Sequence, residues 1–168
     1  LTLINDIIRL SELDQTELAD KLENMDLNIL ANECLLDLKV NAIQRNVNFS
    51  FEGTPCMIRG NKEMLREVIE NLCENAICYN HEGGMVHLFV GMENDKPILC
   101  VKDNGIGIPK EYQDRIFERF YRVDKSRSKA TGGTGLGLAI VKHIVAIHEA
   151  DIQLESEVGK GTEVKIIF

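Results

Sequence analysis

Apolar residues return at every third or fourth position in four stretches of the chain and at every second position in several others, so helices and strands are interleaved. Leu3, Ile4, Ile7, Ile8, Leu10 and Leu13 keep helical spacing without Gly or Pro, predicting a helix over 1–16 with one apolar stripe. That stripe suits either another helix or the chain's own domain. A polar stretch over 14–24 reads as a connection. A short strand near 25–27, a helix over 29–45 and β-type segments at 47–51 and 56–59 follow, the last two divided by Gly53 and Pro55.

Asn61 reads as the cap of a helix reaching Tyr79, because Met64, Leu65, Val68, Ile69, Leu72, Cys73, Ala76 and Ile77 hold the spacing throughout. Val86, Leu88, Val90 and Met92 alternate as a strand, and a turn over 93–97 leads to another at 98–102, predicting a hairpin. Residues 103–134 have few regular signals, a length that points to function or mobility. A helix over 135–149 follows, with Leu138, Val141, Ile144 and Val145 inward. Ile152 and Leu154, then Val164, Ile166 and Phe168, flank Gly159 and Gly161 as a closing hairpin.

At 168 residues the chain has room for one main domain and a short appendage, and 44% hydrophobic with 27% charged residues fits a globular, soluble class. Its apolar runs fall far short of the roughly 20 residues that cross a bilayer, and no signal-peptide pattern opens it, so any membrane segment is expected outside these residues. A net charge of -8 argues against DNA as a general partner. Residues 109–131 carry +3, leaving -11 for the rest; a solvated loop is the plain reading of that basic segment. Cys34, Cys56, Cys73, Cys78 and Cys100 form no CxxC pair, which suits small buried hydrophobes in a reducing compartment.

On the 61–79 helix, 100° per residue places Asn71, Asn75 and Cys78 in about one 60° sector beside the apolar stripe. Asn is a poor helix former, so two amides there either meet solvent or serve as neutral oxygen ligands of the kind magnesium accepts. In DNGIGIP, Asp103 ends a strand before Gly105 and Gly107; a carboxylate accepts from an exocyclic amine such as that of adenine, and the glycines permit close approach to a ligand. A plain turn suits the same residues. Gly132, Gly133, Thr134, Gly135, Leu136 and Gly137 open a helix, where amides and dipole attract phosphate. The spacing is GxGxG, so the dinucleotide fingerprint is not met; Gly159, Lys160, Gly161 and Thr162 lack the Walker pattern and read as a hairpin turn. Together, a carboxylate for a base, amides for a metal, glycines for phosphates and a basic connector describe a nucleotide site with a lid.

The order and spacing of ENLCENAICYN (70–80), DNGIGIP (103–109), RIFERFYRVD (115–124) and GGTGLGL (132–138) resemble the N, G1, F and G2 boxes of sensor histidine kinases, over about 25–168. The resemblance implies an α+β fold, a two-layer α/β sandwich with a mixed five-stranded sheet covered by three helices (the Bergerat ATP-binding fold), plus an N-terminal helical appendage. It implies residues 1–20 as the end of a dimerisation and histidine-phosphotransfer helix with its linker, and 21–168 as the catalytic domain. ATP and Mg2+ are the implied cofactors. Asn75 would ligate the metal and act with Arg122 in catalysis, Asp103 would bind adenine, and Arg122 would reach the terminal phosphates. Asn71, Tyr79, Gly105, Gly107, Ile108, Phe120, Tyr121, Thr134, Gly135, Leu136, Gly137 and Leu138 would line the nucleotide pocket. Phe117 and Phe120 look like aromatic anchors tethering the lid.

The implied partners are the chain's own dimerisation domain, in a homodimer, and a response-regulator receiver domain; no nucleic acid is expected. The implied location is the cytoplasmic portion of a membrane-bound sensor. The phosphoacceptor helix is absent, and His81, His87, His143 and His148 lie outside the acceptor motif, so all four read as ordinary histidines. One departure is Cys78, where many members carry a phosphate-contacting lysine; Lys125 or Lys129 would then supply the charge. Three rivals share the fold: a hydrolysing clamp of the gyrase or Hsp90 type, a serine kinase of the anti-sigma type, and a nucleotide-binding module without catalysis. The amide of Asn71 stands where the clamps carry a carboxylate, and an amide cannot take a proton from water.

Overall fold

Two of the strands are too short to pattern themselves and are fixed by what caps them. In the computed structural model, which describes residues 2–13, 22–123 and 133–168, β1 (Glu23–Asp26) pairs antiparallel with β3 (Met57–Gly60) as a separate two-stranded sheet. Asp26 ends β1 and caps α2 (Leu27–Gln44): its carboxylate accepts from Asn28 N at 2.9 Å and from Cys56 N at 3.0 Å. Gly60 leads into α3 (Lys62–Cys78), where Asn61 accepts from Met64 N at 3.1 Å, as its cap position predicts.

The main sheet has the order β2-β4-β5-β7-β6, with β2 (Asn48–Gly53), β4 (Met85–Glu93), β5 (Lys96–Asp103), β6 (Asp151–Glu157) and β7 (Gly161–Ile167). Only β2 and β4 pair in parallel, because the chain between them crosses through β3 and α3. The remaining pairs are antiparallel, so the sheet is mixed. Register puts Phe51, Leu88, Val101, Val164 and Leu154 in one row across all five strands, facing the helices. The opposite row, Ser50, His87, Lys102, Glu163 and Glu155, faces solvent, which is the alternation expected of a sheet covered on one side.

Helices α2 and α3 and the helix α5 (Gly137–Ile147) cover that inner face. Leu27, Leu30, Leu38, Leu65, Ile69, Leu88, Leu99, Ile140, Ile144 and Ile166 are wholly enclosed there. The architecture is therefore the two-layer α+β sandwich of a five-stranded sheet and three helices. Within the long irregular segment, one short turn of helix, α4 (Lys110–Gln113), is the sole regular element among its described residues. Residues 124–132 lie outside the described residues, and with them Lys125, Lys129 and Gly132.

The first helix, α1 (Thr2–Leu13), packs on α5 of its own chain through Leu10 and Leu13, both buried. Its other apolar positions, Leu3, Ile4, Ile7 and Ile8, are 46–60% exposed, so the stripe is only half covered. Of the connection expected over 14–24, residues 14–21 lie outside the described residues, while Glu23 and Asn24 already belong to β1. No described helix is long and apolar enough to cross a membrane.

Candidate functional site

The four sequence motifs converge where α3 meets the ends of β5 and the start of α5. Asn71 and Asn75 lie on one side of α3, both half-buried, as helical spacing requires. Asn71 donates from Nδ2 to the Glu67 carbonyl at 2.9 Å, and a Cβ added to Gly137 would lie 2.5 Å from its Oδ1. The glycine at 137 thus lets the start of α5 approach the α3 amide. Asn75 has no hydrogen-bond partner for its side chain among the described residues, leaving a half-buried polar group open to a ligand.

At the end of β5, Asp103 accepts from Gly105 N at 2.8 Å and Thr162 N at 3.3 Å, both through Oδ1. Oδ2 accepts from none of the described residues. Burial raises the carboxyl above the ordinary carboxylate value, against the pull of those two N–H donors. A half-buried carboxylate with one oxygen engaged and the other open fits a single-donor ligand edge.

The glycines of this loop serve the fold before any ligand. Gly105 has no room for a Cβ, which would stand 2.5 Å from the Tyr79 carbonyl; Gly107 takes φ +67, and a Cβ there would collide with the Glu157 carbonyl. Ile106 N donates to Tyr79 O at 3.1 Å, Ile108 N to Ser156 Oγ at 2.8 Å, and Gly159 N to Ile106 O at 2.9 Å. Gln113 Nε2 adds bonds to the carbonyls of Ile108 and Ser156 at 2.8 and 2.9 Å. The loop over 103–109 is therefore fastened both to the end of α3 and to the β6–β7 hairpin.

Two residues at this site escaped sequence reasoning. Ser156 and Thr162 face each other across the hairpin, with their hydroxyl oxygens 2.8 Å apart, and Thr162 reaches Asp103 through its N–H. The GKGT stretch is indeed a turn, and the clue was the hydroxyl residue on each strand beside it.

The glycine turn and the segment 115–123 meet through the backbone. Phe120 N donates to Gly135 O at 3.0 Å, with Phe120 at φ +63 and Gly135 at φ +76. The ring of Phe120 is 57% exposed, so it holds the turn by its N–H, and Ile116, beside half-buried Phe117, is the side chain buried in its place. Arg122 runs along this turn: a Cβ at Gly135 would lie 3.1 Å from its Cγ, and one at Gly133 would lie 3.5 Å from a terminal nitrogen. The same arginine opposes the rise that burial, and secondarily Cys78, imposes on the Tyr79 hydroxyl. Tyr121 stacks beneath Arg115, with 4.3 Å between guanidinium carbon and ring centre.

Helix α5 begins at Gly137, two residues later than the pattern predicts, because Gly135 is left-handed. Thr134 Oγ1 accepts from Leu136 N at 3.3 Å, closing the turn two residues ahead of it. The Leu136 side chain is fully enclosed in the core, so only backbone at that position faces the loop, while Leu138 is half-buried.

Comparison with known proteins follows the same outline. The model of the histidine kinase-, DNA gyrase B-, and HSP90-like ATPase family matches residues 60–168. The sensor-like histidine kinase SenX3 of Mycolicibacterium smegmatis is 40% identical over 161 residues, covering 95% of this chain and 42% of SenX3. The chain thus spans about two fifths of that relative's length. The mycobacterial sensor histidine kinase MprB superposes with a TM-score of 0.73 at 26% identity, over 88% of this chain and 96% of that one. Full-length ShkA in complex with AMPPNP gives a TM-score of 0.84 over 99% of this chain and 35% of ShkA; at 24% identity that likeness speaks to the fold.

Proposed function

The chain belongs to the family of histidine kinase-, DNA gyrase B-, and HSP90-like ATPases, and from that premise we propose that it is the catalytic part of a two-component sensor histidine kinase. It would transfer the γ-phosphoryl group of magnesium-ATP to a histidine on a dimerisation domain, for relay to a receiver-domain aspartate. The observation that carries this reading is the contact of α3 with both the Asp103 loop, through Tyr79 O and Ile106 N, and the glycine turn, through Asn71 and Gly137. Base-recognising and phosphate-recognising groups then border one continuous site.

In this reading Asp103 Oδ2 accepts from the adenine amine, and Tyr79, Gly105, Gly107 and Ile108 line the base. Asn75 offers its amide oxygen to magnesium, a hard ion that takes few protein oxygens and keeps waters and phosphates. The unpartnered Asn75 amide supports that role; among the described residues no group of three His, Cys, Asp or Glu offers another metal cage. Magnesium, when bound, offsets charge on the phosphate oxygens. Arg122, lying along the glycine turn, neutralises the γ-phosphate as the bond to the bridging oxygen breaks and an external imidazole nitrogen forms the new N–P bond. Thr134, Gly135 and Gly137 present donors to the phosphates at the head of α5. Phe120, Tyr121 and Leu138, with the backbone of Leu136, shape the surrounding wall.

Residues 1–20 form the end of the dimerisation helix and linker in this scheme, and 21–168 the catalytic domain. Homodimerisation, a receiver-domain partner and a cytoplasmic position beneath a membrane-anchored sensor belong to the same proposal. Asn71 disfavours the hydrolysing clamp, since its amide cannot serve as a base.

The test is to incubate the chain with γ-labelled ATP, magnesium and a helical fragment bearing an acceptor histidine. Label on the fragment that is lost in acid and kept in base is the expected outcome. Acid-stable label, or turnover of free ATP at the rate of a true ATPase, would overturn the assignment.

A further inference from the structure

Helix α1 is tied by side-chain hydrogen bonds to the glycine turn, to α3 and to α5. Asp6 Oδ2 accepts from Thr134 Oγ1 at 2.6 Å, Arg9 Nε donates to Glu67 Oε2 at 2.8 Å, and His143 Nε2 donates to the Leu13 carbonyl at 2.8 Å. The first two of these anchors lead to residues of the nucleotide region. Thr134 accepts from Leu136 N at the glycine turn, and the Glu67 carbonyl accepts from Asn71. One helix therefore links the turn that would meet phosphates to the α3 face that would meet metal.

A threonine hydroxyl has a single hydrogen to give. Here Thr134 gives it to a carboxylate, so an anion from α1 already occupies the donor that a phosphate oxygen would use. A polyphosphate approaching that turn also meets the Asp6 charge at close range, where like charges repel. The docking of α1 is meanwhile lightly built, since Leu10 and Leu13 are buried while Leu3, Ile4, Ile7 and Ile8 stay exposed.

We propose that Asp6 is an internal competitor for the phosphate turn, so that nucleotide binding and the docking of α1 oppose one another. The inference rests on the nucleotide reading of the site. Because linkage is reciprocal, whatever factor α1 docking takes from ATP affinity, ATP takes from α1 docking. Adenosine has no phosphates and should be indifferent to Asp6.

The experiment is calorimetric titration of the whole 168-residue chain with ATP and with adenosine, in wild type, Asp6→Asn and Asp6→Glu. Asp6→Asn should bind ATP about tenfold more tightly than wild type, with adenosine unchanged and Asp6→Glu near wild type. Hydrogen exchange over residues 2–13 should accelerate on saturation of the wild type with ATP and stay level with adenosine. If neither ligand binds the wild type, the nucleotide reading itself fails. If ATP binds but Asp6→Asn leaves its affinity unmoved, weakens it, or shifts adenosine equally, the competition is overturned.

Discussion

The His148 ring accepts a hydrogen bond on Nε2 from the backbone N–H of Asn61 at 3.0 Å, while Nδ1 donates to the Ile144 carbonyl at 2.7 Å. The residue that closes α5 therefore receives the N–H of the residue that caps α3, and both ring nitrogens are used. Only the neutral imidazole can do this, and burial, opposed by the Ile144 bond, lowers its pKa below the ordinary histidine value. An unfolded chain takes up the proton near pH 6.5, whereas the folded chain resists it to lower pH. The stability involved is complete above about pH 6.5 and is lost as pH falls through the folded value.

Urea unfolding from pH 8 to pH 5 should thus show a decline in the wild type that His148→Gln lacks. At pH 8 the variant should be about 1–2 kcal/mol less stable, for one lost buried acceptor. Parallel pH profiles of the two proteins would contradict the linkage.

Asp103→Ala should abolish measurable binding of ATP and adenosine alike. Asn75→Ala should leave adenosine binding intact and remove the gain that magnesium gives ATP. Calorimetry with and without the metal separates the two, and equal losses in both variants would refute the division of roles.

Gly107→Ala combines a left-handed backbone with a collision against the Glu157 carbonyl, whereas Gly159, at φ +78, has nothing within 4 Å of where its Cβ would stand. Gly159→Ala should lose roughly 1 kcal/mol of stability from backbone strain alone, and Gly107→Ala about 2–3 kcal/mol. Denaturant midpoints of the pair read the difference directly.

Cys78→Lys would set a cation near Tyr79, on the face of α3 that carries Asn71 and Asn75. ATP affinity should rise roughly fivefold at low salt and the gain should shrink as salt is added, with adenosine unaffected. A gain that persists at high ionic strength would point to packing in place of charge.

Much of this architecture was legible in the residues. The 3-and-4 spacing of Met64 to Ile77 and its Asn61 cap specify α3 almost to the residue, and Asn94 and Asp95, both left-handed, mark the hairpin between β4 and β5. The pairing of β1 with β3 was not legible, because ENMD has no alternation and depends on Asp26 reaching Cys56, 30 residues away. Helix α2 shows the same limit from the other side: Ile29, Leu36, Val40 and Ile43 are exposed although apolar, so its buried face cannot be read from pattern alone. Nor does any local signal announce the bond from His148 to Asn61, which spans 87 positions. At the site, the residue types could be listed in advance, but the single oxygen left open on Asp103 and the hold of Asp6 on Thr134 exist only once distant segments meet.

The loop from Asp103 to Pro109 is pinned by the hairpin and by the end of α3, so the end of the site proposed to take the purine is set before anything enters it. A flat heterocyclic fragment would meet a surface that needs little rearrangement, and each of its atoms would contribute more to affinity than the atoms of a longer ligand reaching for Thr134. Inhibitor design on this scaffold should accordingly grow outward from that end, leaving the helix-bridged side for later elaboration.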